Sequence, residues 1–249
     1  MKRDSHTTQE SFTWQPNVKI IVFSLLLLPL LIGLGFWQLE RAEEKRKIVD
    51  EFSLNQQLPP ARVEDLMLEE NHQYRAAWLS GKLDGTRRVF IDNRVKYGRP
   101  GYEVFEVMIV PGLSLQGKNR SLLVNRGWVP ASLDRNKLPN IDSVEGKVQL
   151  RGSLYRNLRG GYRLDDGIKK IREWPTRVGW ISVERAEELY DEEFYFYQLR
   201  LDSDSIGALD TGWVTVAVQP EKHIGYAVQW FAMALVLSLI HISEPTRRV

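Results

Sequence analysis

The chain has 249 residues, 43% of them hydrophobic and 27% charged, with 34 basic against 32 acidic side chains. That length holds one sizeable domain with appendages, or at most two small ones, with a core that folds without staples. The absence of cysteine excludes a disulfide framework, a thiolate zinc site, covalent c-type haem and a cysteine nucleophile; a net charge of +2 without a dense basic tract gives no footprint for nucleic acid.

Apolar residues concentrate at the two ends. After a short N-terminal segment, 1–19, the stretch from Ile20 to Leu39 carries no charge and includes Ile20-Ile21-Val22-Phe23 and Leu25 to Leu28. About 20 such residues cross a hydrocarbon core of ~30 Å, so a transmembrane helix is expected over 20–39. A cleaved signal peptide has a shorter apolar region ending in small residues, whereas this one ends in Trp37-Gln38-Leu39-Glu40. The helix is expected to continue past the span, since Glu40 to Gln56 has no Gly or Pro and Glu43 precedes Lys47 by one turn in the favourable order. Pro59-Pro60 stops it.

From there to residue 222 the texture is that of short β-rich runs between turn residues. Asp84-Gly85, between Trp78-Leu79 and Val89-Phe90-Ile91, is a hairpin signal. Further strands are expected at Tyr102 to Val110, Ser121 to Val129, the alternating run 147–154, Val178 to Ile181, Phe194 to Leu201 and Trp213 to Val218. One helix is expected over Ser182 to Tyr190, with Ser182 as its cap, and the Gly/Arg/Lys-rich stretch from Asn157 to Pro175 reads as a long loop. Strands in this number with one helix indicate a mostly antiparallel β sandwich or barrel-like domain over 40–222.

The second uncharged stretch runs from His223 to Ile242, with a transmembrane helix expected over 223–240 and a short tail over 241–249; a buried C-terminal helix is the competing reading. Trp37, Tyr226 and Trp230 sit near the inner ends of the two stretches, where amphipathic rings favour the headgroup level. Basic residues around the first span are nearly balanced, but Arg247 and Arg248 after the second outnumber Lys222 before it. By the positive-inside rule both termini then lie inside, and the domain between the spans lies outside. The expected class is therefore an α+β membrane protein: two transmembrane helices flanking a β-rich domain, multi-pass in a bacterial inner membrane with the central domain periplasmic.

Enzyme motifs fail. Gly112 to Gly117 has one residue too many for a nucleophile elbow, and the run from Asp202 reaches Trp213 where a calcium loop needs a bidentate Glu. No phosphate loop, dinucleotide fingerprint or zinc-protease helix occurs, and four histidines are too few for a multi-histidine metal site. A non-enzymatic role is expected.

Four ordered segments then carry a resemblance: Leu34-Gly35-Phe36-Trp37-Gln38-Leu39-Glu40-Arg41, Gly98-Arg99-Pro100-Gly101-Tyr102, Asn125-Arg126-Gly127-Trp128-Val129-Pro130, and His223-Ile224-Gly225-Tyr226-Ala227-Val228-Gln229-Trp230. With the two-span layout, the chain from about Val18 to Leu237 resembles the Surfeit locus protein 1 family of cytochrome c oxidase assembly factors. The resemblance implies a non-enzymatic inner-membrane factor for biogenesis of haem-copper oxidases, with haem a delivery to the catalytic subunit as its task. Contact with haem synthesis enzymes is a further implied partnership, beside the lipid bilayer. It also links haem association to the histidine opening the second span, here His223. A structural membrane chaperone that never touches haem and a membrane-bound haem-modifying enzyme are the rival readings.

The residues support His223 separately. At ~100° per residue His223, Tyr226, Ala227, Trp230 and Ala234 share one helix face, which suits a flat ligand, with an imidazole for iron, rings to cover the macrocycle and alanines to leave room. A second face of Gly225, Gln229 and Ala232 is expected to contact the first span around Gly35 and Gln38. Anchoring of the helix end at the interface is the bland alternative for His223. Arg126, beside Trp128, is a candidate for a haem propionate or a partner's carboxylate, against a plainer reading in which Asn125-Arg126-Gly127 forms a turn or bulge and Trp128 is core. Gly98, Pro100 and Gly101 are expected to set a loop geometry, leaving Arg99 and Tyr102 for contacts. The run from Leu239 to Val249 departs from the family's tail and resembles translated sequencing-adapter read-through; on that reading His241 has no role and the topology rests on the family.

Overall fold

The computed structural model describes residues 12–14, 18–66, 71–115, 117–156, 173–213, 219–243 and 246–248. In chain order the elements are β1 (Phe12–Trp14), α1 (Val18–Gln57), β2 (Ala61–Arg62), a 3-10 turn (Val63–Leu66), β3 (Ala76–Lys96), β4 (Arg99–Leu115), β5 (Lys118–Pro130), β6 (Lys147–Tyr155), β7 (Thr176–Val178), α2 (Val183–Tyr190), β8 (Gln198–Leu201), α3 (Pro220–Ser243) and β9 (Thr246–Arg248). They fall into two compact units, one of Met1–Asp50 with Val216–Val249 and one of Glu51–Thr215.

In the first unit α1 and α3 are both long and apolar enough to cross a membrane. At ~1.5 Å per residue the 40 residues of α1 extend about 60 Å, and its residues from Glu51 on are counted with the second unit. The buried residues of α1 are Ser24, Leu31, Gly35 and Ala42, spaced by seven and four, while Ala227 and Ala234 of α3 are buried seven apart. That spacing keeps small side chains on one stripe, and small residues let helix backbones approach. Val22, Leu25, Leu26, Val228 and Leu235 point away from these stripes and are at least half exposed. β1 and β9 form a separate antiparallel ladder.

The second unit is built on a seven-stranded mixed sheet. Its order is β2-β3-β4-β5-β8-β6, with β7 alongside β3, and β6 pairs back onto β3, so the path from β3 through β4, β5, β8 and β6 returns to its start. The pairs β3–β4, β4–β5, β3–β6 and β6–β8 are antiparallel; β2–β3, β3–β7 and β5–β8 are parallel and only two or three residues long. The sheet is mixed, and its long pairings are all antiparallel, as expected. Parallel neighbours require a crossover, and β8 reaches β5 only after the long connection that includes α2.

Asp84-Gly85 is not a hairpin. β3 runs straight through it, using Ala76 to Lys82 to pair with β6 and Lys82 to Lys96 to pair with β4. The Asp84 carboxylate accepts from the Thr86 backbone and hydroxyl and from Arg87 Nε at 2.6 Å, so the turn-like residues make a local irregularity in the strand. The hairpin lies at Tyr97-Gly98, where both residues have positive φ (54° and 71°), the type I′ signature that joins Lys96 to Arg99. Of the expected loop, only Gly98 turns; Arg99, Pro100 and Gly101 belong to β4. The run from Val178 to Ile181 is strand only to Val178, and that from Phe194 begins at Gln198. Positions 214–218 of the expected Trp213 strand, and 157–172 of the expected loop, lie outside the described residues.

α2 forms as its sequence suggests: Ser182 is extended and its Oγ accepts from Arg185 N, satisfying one of the free N–H groups of the first turn. Its Ala186, Leu189 and Tyr190 bury against Val89, Ile91, Phe105 and Val107 from β3 and β4. The largest cluster takes Leu79, Leu83, Met108, Leu122, Leu150 and Leu199 from around the circuit. A smaller one pairs the rings of Phe90 and Tyr102 edge to face at 5.7 Å. Tyr102 is fully buried there, which removes it from the surface contacts expected of it.

Candidate functional site

His223 stands in the first turn of α3, half-buried, with Nδ1 2.7 Å from Gln38 Oε1 of α1. An amide oxygen has no hydrogen to give, so Nδ1–H is the donor, and in the neutral ring the lone pair is then on Nε2. That Nε2 is buried and has no hydrogen-bond partner among the described residues. Metal-bound histidines are held in the same way, with one nitrogen anchored by an acceptor so that the other is aimed and its basicity raised.

One turn on, Tyr226 is 51% exposed and Trp230 is half-buried. The inner side differs from expectation. Gly225, Gln229 and Ala232 are exposed, and Gly225 has nothing within 4 Å of where a Cβ would stand. It is His223, Ala227, Phe231 and Ala234 that line the side turned to α1: His223 bonds Gln38, and the Phe231 ring meets Phe36 edge to face at 5.4 Å. Both faces of α3 offer small residues, so composition alone did not distinguish them; the hydrogen bond and the Phe231 ring do.

The donor set fits one kind of group. Among the described residues no three His, Asp or Glu side chains gather as metal ligands, so His223 supplies a single imidazole and a closed structural ion site does not fit. One free Nε2 is the kind of donor that a single axial bond to a haem iron would need. Gln38 thus does more than contact the second helix, and the sequence signal for this role is its polarity inside an otherwise apolar span.

Arg126 is in the other unit and its role changes. β5 has a β-bulge at this residue, since Val104 faces Gly127 and Phe105 faces Asn125 with Arg126 between them. Gly127 sits at φ 120° with Asp210 O 2.8 Å from where a Cβ would be, so only glycine passes there. The bulge turns Arg126 inward. Its Nη1 donates to Glu106 Oε1 at 2.7 Å and to Asp142 O at 3.1 Å, and its Nε to Gly207 O at 2.7 Å. Arg88 donates to the same Glu106 oxygen at 2.6 Å and to Ile141 O at 2.9 Å. Glu106 is fully buried, Arg126 3% exposed and Arg88 6% exposed. Two guanidinium groups share one carboxylate, and Arg126 has no face left for a propionate. Trp128 is 8% exposed and donates from Nε1 to Arg94 O at 2.7 Å, a core residue.

Elsewhere in the sheet unit, burial pushes the Asp84 carboxyl up, but the bonds from Thr86 and Arg87 outweigh it and hold the group below the usual aspartate range. Tyr190 moves the other way: its ring is buried under α2, which raises the phenol well above its ordinary value.

A profile of the SURF1 family matches residues 25–235 of the chain. A SURF1-like protein of Rickettsia felis is 23% identical over 222 residues, which cover 88% of this chain and 93% of that protein. Surfeit locus protein 1 of Mus musculus is 23% identical over 259 residues, covering 98% of this chain and 82% of the mouse protein. Surfeit locus protein 1 of Arabidopsis thaliana is 32% identical over a shorter stretch of 119 residues, 43% of this chain.

Proposed function

From the premise that this chain belongs to the SURF1 family, we propose that it is a non-enzymatic assembly factor for haem-copper cytochrome c oxidase that assists insertion of haem a into the catalytic subunit. α1 and α3 anchor it in a bacterial inner membrane, and the sheet unit is periplasmic. The membrane reading is supported by the length and apolar exposure of the two helices. The observation that carries the haem reading is the pair Gln38 and His223: an imidazole oriented through Nδ1, with a buried Nε2 that has no protein partner among the described residues.

Haem a, when bound, supplies the redox iron destined for the oxidase. The chain's own part is to hold it and to let it go. Gln38 keeps the proton on Nδ1, which makes Nε2 the ligating nitrogen. Tyr226 and Trp230 offer apolar ring surface beside it. Among the described residues no second imidazole stands beside His223, so a haem held here would be held by this one side chain and could be passed on by giving up that single bond.

The test is the visible absorption spectrum of the detergent-purified full chain, expressed in cells that make haem a, beside His223→Ala. Stoichiometric haem a in the parent and its loss in the variant are expected. Equal haem in both proteins refutes His223 as ligand, and none in either refutes carriage.

A further inference from the structure

The sheet unit contains a cavity of about 410 Å³, walled by the rings of Phe52, Tyr74, Tyr155 and Trp213 and by the polar groups of Gln56, Ser153 and Ser203. Small-ligand clefts run from about 300 to 1,000 Å³ and combine apolar walls with a few placed polar groups. Arg200 of β8 lines it. The guanidinium carbon stands 3.4 Å from the centroid of the Tyr155 ring and 5.1 Å from that of Trp213, and Trp213 is itself fixed by a bond from Nε1 to Leu201 O at 2.9 Å. A second cavity of about 310 Å³ shares Arg200, Thr211, Gly212 and Trp213.

Arg200, half-buried, differs from Arg88 and Arg126. Arg88 and Arg126 are both neutralised by Glu106. Among the described residues Arg200 Nε has no hydrogen-bond partner and no carboxylate stands within ion-pair distance of this side chain; its polar interaction is with Tyr155. Glu103 acts on it only through space and gives its own oxygens to Asn125 at 2.9 Å and Arg94 at 3.5 Å. Burial pulls the Arg200 pKa below its ordinary value, but a guanidinium stays charged in a protein. A half-buried guanidinium that has ring faces against it and no carboxylate within ion-pair distance among the described residues is favourable for an entering anion.

We propose that this cavity binds a small aromatic monocarboxylate, with the carboxylate accepting from Arg200 and the flat body lying among Phe52, Tyr155 and Trp213. The planar guanidinium matches a carboxylate in shape. Asp202 also lines the cavity, and its negative charge disfavours a second one on the ligand, so a dianion such as phosphate is disfavoured. Gln56 Nε2 is held by Tyr74 O at 2.9 Å and Ser153 Oγ at 2.8 Å, which fixes that wall before any ligand arrives. The site is independent of the haem reading.

The experiment is calorimetric titration of the detergent-solubilised full chain with indole-3-acetate, with the neutral indole-3-acetamide and with inorganic phosphate as competitor, micelles alone serving as the blank. Saturable binding of the acid at one site per chain is expected, at least tenfold weaker for the amide and at least tenfold weaker in Arg200→Met, with no displacement by phosphate at equal concentration. No saturable binding of the acid, equal binding of acid and amide, or unchanged affinity in a folded Arg200→Met variant overturns the proposal. Displacement by phosphate overturns the carboxylate assignment. Should Arg200→Met fail to fold, the contrast between acid and amide on the unaltered chain still decides.

Discussion

Gly35 of α1 lies directly under the ring of Phe231 of α3: a methyl group at Gly35 would stand 2.5 Å from Cε1 of that ring. Contact this close means that the two helices approach only because residue 35 has no side chain. Gly35→Val is therefore expected to force the ring or the helix aside and to destabilise the helical unit by about 1–3 kcal/mol, the usual range for overpacking. Gly33, two residues away, has nothing within 4 Å of its would-be Cβ, so Gly33→Ala is the matched control and leaves stability unchanged or raised. Thermal melts of both variants in the same detergent check the pair. Equal behaviour at the two positions refutes the contact.

The shared carboxylate predicts an asymmetry. Removing Arg126 leaves Glu106 paired with Arg88, whereas Glu106→Gln leaves two interior guanidinium groups facing a neutral amide. Glu106→Gln is expected to cost about 3–5 kcal/mol, the range for a broken buried pair, and Arg126→Met distinctly less. Denaturant unfolding of the two single variants and the double variant measures this, and a larger loss in Arg126→Met contradicts it.

Gln38→Leu removes the acceptor that orients His223 without touching Nε2. If His223 is the haem ligand, haem affinity falls by about 10–100-fold, the usual effect of losing an outer partner of a metal-bound histidine. A parallel drop in affinity with an unchanged melting temperature of the haem-free chain identifies Gln38 as a positioning residue. Unchanged affinity refutes it.

Asp84 gives a pH-dependent signal. Its carboxyl is held below the usual range in the folded chain, so its ionised form contributes stability that is complete above the unfolded value near pH ~3.9 and is lost as pH falls through the folded value. The stability gap between the parent and Asp84→Asn is expected to be constant from pH 7 to about 5 and to close below about pH 4. Urea unfolding across that range reads it, and a gap that widens on acidification has the wrong sign.

Local chemistry in this chain was legible and distant pairing was not. The cap at Ser182, the proline stop after α1 and the bulge around Gly127 follow from residues within a few positions of one another. Asp84-Gly85 misled because its turn chemistry was real but was spent on Thr86 and Arg87 inside a continuing strand. Arg126 misled because its partner, Glu106, sits 20 residues earlier on a neighbouring strand, where only a lone charge in an apolar run marked it. On α3 the periodicity grouped His223 with Ala227 and Ala234 correctly, but the choice of which small-residue face meets α1 was made by Phe231, a ring whose fit depends on a glycine on another helix.

The return of β6 onto β3 gives the sheet unit a sequence of assembly. β3, β4 and β5 follow one another through short connections and can zip as a meander, whereas β8 must slot between β5 and β6 from a later part of the chain. Until residues Gln198–Leu201 arrive, β5 and β6 each present a side of unpaired N–H and C=O groups. Such edges are templates for any passing strand. Four residues of β8 therefore act as a seal: a chain interrupted before them has nearly its whole core and none of its protection against joining another copy edge to edge.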